Sequence, residues 1–207
     1  MDMSRAAGPG LRERKKQQTR EALSWAALRL AVERGLGNVL VEDIAAEAGV
    51  SPRTYNNYFS SKAEAITWRH LDRARRIADL LRARPRGEPL WESITCAVVA
   101  QAGGEHASPQ PEWTAGVRLM LSEPELQGEF LKAGAAAERE CALVIAGRTG
   151  TDAGRDMYPR LVAAAIGTAI LVANEQWLRA EPPVPLAPLL RDALTQIAAG
   201  LPAPATG

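Results

Sequence analysis

Residues 41–59 read VEDIAAEAGVSPRTYNNYF, and this stretch decides the fold. In its first half, Val41, Ile44, Ala45 and Ala48 recur at i, i+3, i+4 and i+7, which predicts one apolar face of a short helix. Gly49 then ends that helix, because glycine takes a positive φ without steric cost. The stretch therefore opens with a short amphipathic helix and a tight turn.

A second short helix is predicted from Pro52 to about Phe59. Ser51 offers a hydroxyl N-cap, and proline suits the first helical position. Two short helices joined by a glycine turn predict a helix-turn-helix, whose second helix enters a DNA major groove. The alternative is a helical hairpin that binds nothing. DNA binding is favoured because the outward side chains suit bases and phosphates: Arg53, Thr54, Asn56, Asn57 and Tyr58.

The composition is that of an ordinary globular protein. The chain has 207 residues, 46% of them apolar and 24% charged, enough for one large domain or for a small and a medium one. Cys96 and Cys141 are isolated, as expected of buried thiols in a reducing cytosol. We find no apolar run of ~18 residues and no signal peptide, which predicts a cytoplasmic protein without a membrane partner.

Charge is distributed unevenly along the chain. The net charge is only +1, but residues 1–62 contain ten Lys or Arg and seven Asp or Glu. Several of these cations cluster just ahead of the first helical pattern, with Glu13 as the only acidic neighbour. Beside a helix-turn-helix, this basic arm predicts phosphate contacts, with Lys16 and Arg20 as the candidates.

Breakers and apolar periodicity predict an all-α chain of about nine helices, with no convincing strand. Ser61 and Glu64 form an S-x-x-E capping box at the start of a long fourth helix. We expect residues 1–11 to be a disordered basic tail, residues 12–62 a three-helix DNA-binding domain, residues 63–201 a larger helical domain, and residues 202–207 a tail.

The order of these features resembles the TetR family of bacterial transcriptional regulators. The resemblance is dense over roughly residues 12–66, and beyond them it is one of helix number and length only. It is carried by Thr19-Arg20, Ala26-Ala27, Glu33-Arg34-Gly35, Val41-Glu42-Asp43-Ile44-Ala45, Ala48-Gly49-Val50-Ser51, Thr54, Tyr58-Phe59 and Lys62.

This resemblance implies a homodimer whose larger domain binds an effector and forms the dimer interface. It implies that the outward residues of the second short helix face double-stranded operator DNA, and that Lys62 meets a phosphate. The chain departs from the family at three positions. Leu40 stands where a capping Thr is common, Asn56 where an aromatic is common, and Ala31 where Phe is frequent.

Two further sites are predicted in the larger domain. Trp91, Trp113, Arg118 and Met120 are candidates to line an effector pocket, although Trp and Met at helical spacing are more often core and Arg118 can equally be solvated. The small residues of AAAIGTAILVAN and the leucines of the last helix predict a four-helix dimer interface, the alternative being packing inside one subunit. Its candidate residues are Ala165, Val172, Leu190, Leu194 and Ile197.

The function predicted is a transcriptional regulator that binds a near-palindromic operator as a dimer. It is expected to act as a repressor released by a hydrophobic or amphipathic small molecule. A constitutive or partner-controlled regulator is the alternative, and an enzyme using His70 or His106 is a weaker one. No metal site, cofactor or catalytic motif is predicted, since no P-loop, G-x-G-x-x-G or nucleophile elbow occurs.

Overall fold

The computed structural model describes residues 10–103 and 111–203, without the side chains of residues 111–113. Within these ranges the chain is all helical and contains no strand, so the predicted fold class is confirmed. A short 3₁₀ turn, Leu36–Asn38, follows the first helix. The helices are α1 Leu11–Arg34, α2 Val41–Glu47, α3 Pro52–Asn56, α4 Lys62–Ala83, α5 Leu90–Gln101, α6 Pro111–Ser122, α7 Pro124–Thr149, α8 Met157–Arg179 and α9 Leu186–Ala198.

The chain divides inside α4 into two compact units, the first ending at Arg69 and the second beginning at His70. The first turns of α4 belong to the first unit because they are tied to α1. Ser24 is fully buried and its hydroxyl donates to the carbonyl of Ala65 over 2.6 Å. The sequence places the domain boundary inside this fourth helix, after residue 62, and the two units separate further along the same helix.

One glycine ends α1, and another ends α2, which is the first helix of the helix-turn-helix. Gly35 has φ +79° and donates its N–H to the carbonyl of Ala31, which closes α1. Gly49 has φ +69° after α2, and the next N–H, from Val50, returns to the carbonyl of Ala45 over 2.9 Å. Side chains in these left-handed conformations would be strained, which explains why the sequence has glycine at both turns.

The second unit is built around one apolar core. It combines side chains from α4, α5, α7, α8 and α9. Leu190 and Leu194, predicted for the dimer interface, are buried in this core with 2% and 0% of their surface exposed, and Ile197 packs against it. The interface expected at Leu190 and Leu194 is therefore corrected, because these side chains have no surface to offer a second subunit. Ala165 is half-buried and Val172 is exposed.

One helix among the described residues, α8, is long and apolar enough to cross a membrane by length and composition. The sequence nevertheless contains no uninterrupted apolar run of ~18 residues. A core helix passes the same test, and a third of its most apolar window is buried inside the protein. Ala163, Ile166 and Ala173 on α8 belong to the core of the second unit.

Some predictions fall outside the part of the chain that the structure describes. They concern most of the predicted N-terminal tail, His106, the side chain of Trp113 and the end of the predicted C-terminal tail.

Candidate DNA-binding surface

Helix α3, the second helix of the helix-turn-helix, is the candidate recognition helix. It begins where the sequence predicts but ends earlier than the predicted Phe59. The Ser51 hydroxyl accepts the N–H of Thr54 over 3.1 Å, and Pro52 occupies the first helical position. The helix runs only to Asn56, and Asn57 is its C-cap. Tyr58 and Phe59 follow in a turn whose N–H groups both return to the carbonyl of Tyr55, at 2.8 and 3.0 Å.

Tyr55 anchors the recognition helix to the core of the first unit. Its side chain is fully buried, and its hydroxyl donates to the carbonyl of Ser61 over 2.8 Å. Burial raises the pKa of this phenol, with Glu64 as a lesser cause, so Tyr55 stays protonated and keeps donating. Because Tyr55 is fixed inward, the opposite face of α3 is turned outward.

The outward side chains fall into two groups. Arg53, Asn56 and Asn57 are exposed, whereas Thr54 and Tyr58 are half-buried. The Thr54 hydroxyl lies 2.9 Å from the Ser51 hydroxyl, so it takes part in the N-cap. The three exposed residues carry the donors and acceptors that can reach base edges in a major groove.

The start of α2 has one half of a capping box and lacks the side-chain acceptor of the other half. Leu40 has no polar group to cap the helix, and 61% of its surface is exposed. Asp43 accepts the N–H of Leu40 over 3.3 Å, which is the half of a capping box that runs from the third helical residue. Arg34 lies 3.8 Å from the same carboxylate.

The predicted cap of α4 forms in a modified way. The hydroxyl of Ser61 accepts the N–H of Glu64 over 3.0 Å, as the S-x-x-E pattern predicts. The Glu64 carboxylate reaches one residue further back than the pattern requires, where it accepts the N–H and the hydroxyl of Ser60, both over 2.7 Å.

Lys62 has partners inside the first unit. Its ammonium donates to the carbonyl of Leu36 over 2.7 Å and to that of Val39 over 3.3 Å. These bonds use two of the three donors of the ammonium and tie the turn between α1 and α2 to the start of α4. The phosphate contact implied by the family resemblance stays a prediction.

The two cations predicted in the basic arm differ in their surroundings. Lys16 is exposed, as a phosphate-binding side chain must be. Arg20 is half-buried, and its guanidinium carbon lies within 6 Å of the ring centroids of Tyr58, Phe59 and Trp68. Sequence reasoning grouped the two residues because spacing on α1 does not reveal the aromatic partners.

The candidate effector residues of the second unit lie in different surroundings. Trp91 is half-buried and packs against the core, and Met120 is buried. Arg118 is exposed, and on α6 it lies on a different face from the buried Val117 and Met120. This exposure favours the alternative of a solvated residue, and a role for Arg118 in an effector pocket stays a prediction.

A polar cluster around Arg148 was not predicted from the sequence. Near the end of α7, its guanidinium donates to the carbonyls of Arg84 and Pro85, over 3.0 and 2.8 Å, and to the hydroxyl of Ser93 over 2.9 Å. Ser93, which is fully buried, donates in turn to Glu88, and Arg84 pairs with the same carboxylate. The cluster holds the end of α4 and the following turn against α5 and α7.

No group of three or more His, Cys, Asp or Glu that could hold a metal ion occurs among the described residues. Cys141 is buried, which raises the pKa of its thiol to about 11, as expected of a core cysteine.

An all-helical chain that presents a capped recognition helix after a tight glycine turn has the architecture of a helix-turn-helix DNA-binding protein. Residues 25–65 match the family model described as bacterial regulatory proteins, tetR family. Residues 88–202 match the model described as the MftR C-terminal domain. The chain belongs to the TetR family of bacterial transcriptional regulators, which confirms the resemblance found in the sequence.

Similar proteins agree with this assignment. The chain is 35% identical to the HTH-type transcriptional regulator TcmR of Streptomyces glaucescens, over 84% of this chain and 80% of that protein. It is 30% identical to MftR of Mycobacterium tuberculosis, a regulator assigned to mycofactocin biosynthesis, over 91% of this chain and 93% of MftR. The structure of SmeT, the repressor of a Stenotrophomonas maltophilia multidrug efflux pump, shares the fold with TM-score 0.58, 18% identity and coverage of 91% and 96%. The family and these relatives are regulators and not enzymes.

Proposed function

We propose that this regulator is a cytoplasmic repressor that binds a near-palindromic operator as a homodimer and is released by a small molecule. The observation that carries the DNA part is the fixed recognition helix. Tyr55 holds it from inside through its buried ring and its bond to Ser61, while Arg53, Asn56 and Asn57 stay exposed. Its two copies would enter successive major grooves about 34–36 Å apart.

The exposed face of α8 supports the dimer. Met157, Leu161, Ala165, Thr168 and Val172 follow one another at spacings of three or four residues, which places them on one side of the helix. Met157, Leu161 and Val172 have 79%, 64% and 51% of their surface exposed. An apolar stripe of this kind is typical of a protein–protein interface, and a symmetric dimer would bury it twice.

The effector is expected to be hydrophobic or amphipathic. The apolar residues proposed to line the effector pocket are Trp91, Met120 and Trp113. Pockets lined by such side chains bind mostly apolar ligands. The effector would favour a conformation in which the spacing of the two recognition helices no longer fits the operator. It acts only through its different affinity for the two conformations.

Binding to DNA that flanks the protein's own gene tests the operator. Fluorescence anisotropy with this duplex should show site-specific, salt-sensitive binding, and a scrambled duplex of equal length is the control. Equal affinity for both duplexes would contradict the proposal. Apolar and amphipathic compounds are then titrated into the complex. Release by one class supports the ligand-controlled repressor, whereas no release by any compound favours the constitutive or partner-controlled alternative.

A further inference from the structure

Arg20 lies in a box of three aromatic rings in the first unit. Its guanidinium carbon is 5.8 Å from the ring centroid of Tyr58 and 5.9 Å from those of Phe59 and Trp68. Each distance is within the range in which a cation is attracted to a ring face. The box joins α1 to the turn that follows α3 and to the first turns of α4.

One side of the Arg20 guanidinium is turned away from solvent. Its Nε is buried and has no hydrogen-bond partner among the residues that the structure describes. The rings therefore take the place of water around this part of the guanidinium. A phosphate contact by Arg20 would therefore have to use its terminal N–H groups, whereas the side chain of Lys16 is exposed.

The rings around Arg20 continue into the anchor of the recognition helix. Phe59 lies 5.9 Å from Tyr55 and 6.3 Å from Trp68, measured between ring centroids. Arg20 thus closes an aromatic cluster that begins at Tyr55 inside α3. The turn it packs against, Tyr58 and Phe59, comes directly after Asn56 and Asn57.

We propose that Arg20 is a positioning residue for operator recognition: its guanidinium plane, packed among Tyr58, Phe59 and Trp68, fixes the end of α3 and so the direction of Asn56 and Asn57. This inference rests on the proposed operator binding. It reverses the role that the sequence suggests, because the charge of Arg20 is used inside the protein. The predicted consequence is a loss of sequence preference without a loss of counterion release.

Salt dependence separates the two roles. The binding constants of wild type, Arg20→Met and Arg20→Lys are measured on an operator duplex, selected from a random pool with the wild type, and on a scrambled duplex, each at several salt concentrations. Arg20→Met should weaken operator binding roughly 3- to 30-fold and leave binding to the scrambled duplex and the salt slope unchanged. Lys16→Gln is the matched control. It should weaken both duplexes alike and lower the slope by about one.

Arg20→Lys keeps the charge but loses the planar guanidinium, so it should behave like Arg20→Met on the operator. This variant keeps the test decisive if the methionine variant does not fold. Wild-type behaviour of Arg20→Lys, or a slope in Arg20→Met that falls by about one with equal weakening on both duplexes, would overturn the inference in favour of a phosphate contact. If the wild type itself selects no operator from the pool, the proposed function fails instead.

Discussion

At the scale of single residues, the proposed recognition depends on three exposed side chains next to one buried ring. Tyr55 decides which way α3 faces, and Arg53, Asn56 and Asn57 are what that orientation leaves outward. The sequence pattern marked the outward residues because they are polar. It did not single out Tyr55, because a tyrosine among polar neighbours is compatible with either side of a helix.

Asn57→Ala and Arg53→Ala test base reading. If these side chains bond base edges, each substitution should cost about 1–3 kcal/mol of binding free energy on the operator and relax the preference at one base position. Anisotropy titrations against operator variants with single base changes measure this. Gln196→Ala, an exposed polar residue on α9, is the control and should leave binding unchanged. Equal weakening on operator and scrambled DNA would show that the two residues touch only phosphate.

At the scale of helices, the end of α4 depends on a side chain from α7. Carbonyl groups at a helix end lack the regular helical hydrogen bonds, and Arg148 supplies donors to the carbonyl of Leu81 in the last turn and to those of Arg84 and Pro85 just beyond it. From the sequence Arg148 is only a basic residue in a last helical turn. Its partners lie more than fifty positions earlier in the chain, so no local pattern indicates them.

Arg148→Met should lower the stability of the second unit. The substitution removes the donors to these carbonyls and leaves the buried Ser93 hydroxyl short of one partner, a loss of about 2–3 kcal/mol. Urea denaturation followed by circular dichroism measures it. Arg139→Met is the matched control, because Arg139 is an exposed arginine on the same helix and should cost about 0.5 kcal/mol or less. Similar losses in both variants would contradict a specific role for Arg148.

Glu88 makes this cluster sensitive to acid. Hydrogen bonds from Arg84 and from Ser93 lower its pKa from about 4.5 to about 2. A carboxyl whose pKa is lower in the folded state contributes stability above its unfolded pKa and loses it as the pH falls toward the folded value. Wild type should therefore exceed Glu88→Gln in thermal stability above pH about 4.5, and the difference should vanish as the pH approaches 2. A stability difference between wild type and Glu88→Gln that does not change with pH would show that protonation of Glu88 does not control the stability of the cluster.

At the scale of the whole molecule, the proposed dimer depends on the apolar surface that remains exposed after folding. The second unit uses Leu190 and Leu194 for its own core, and α8 keeps an apolar side exposed. Hydrophobic periodicity alone does not tell a helix face that packs within the subunit from one that packs against a second copy. Both faces bury the same residue types for the same reason, the removal of apolar surface from water.

Leu161→Glu tests the dimer. A carboxylate on the α8 face would have to be desolvated at the interface, so the variant should elute as a monomer near 22.2 kDa while the wild type elutes at about twice that mass. Light scattering coupled to gel filtration measures the mass. Leu131→Glu, on α7, is the control because Leu131 is also largely exposed but lies off this face. A wild-type monomer, or a dimer that survives Leu161→Glu, would contradict the proposed interface.

The sequence by itself determined the fold class, the helix-turn-helix and the family. These features depend on local chemistry: the apolar spacing of α2, the positive φ at Gly35 and Gly49, and the Ser51 cap act between residues close together in the chain. Only the tertiary structure decided which residues are anchors. The aromatic box of Arg20, the Lys62 bonds, the Arg148 cluster and the buried leucines of α9 join distant segments. Which side chains meet across such distances depends on how all the helices pack together, and a local sequence pattern does not contain that information.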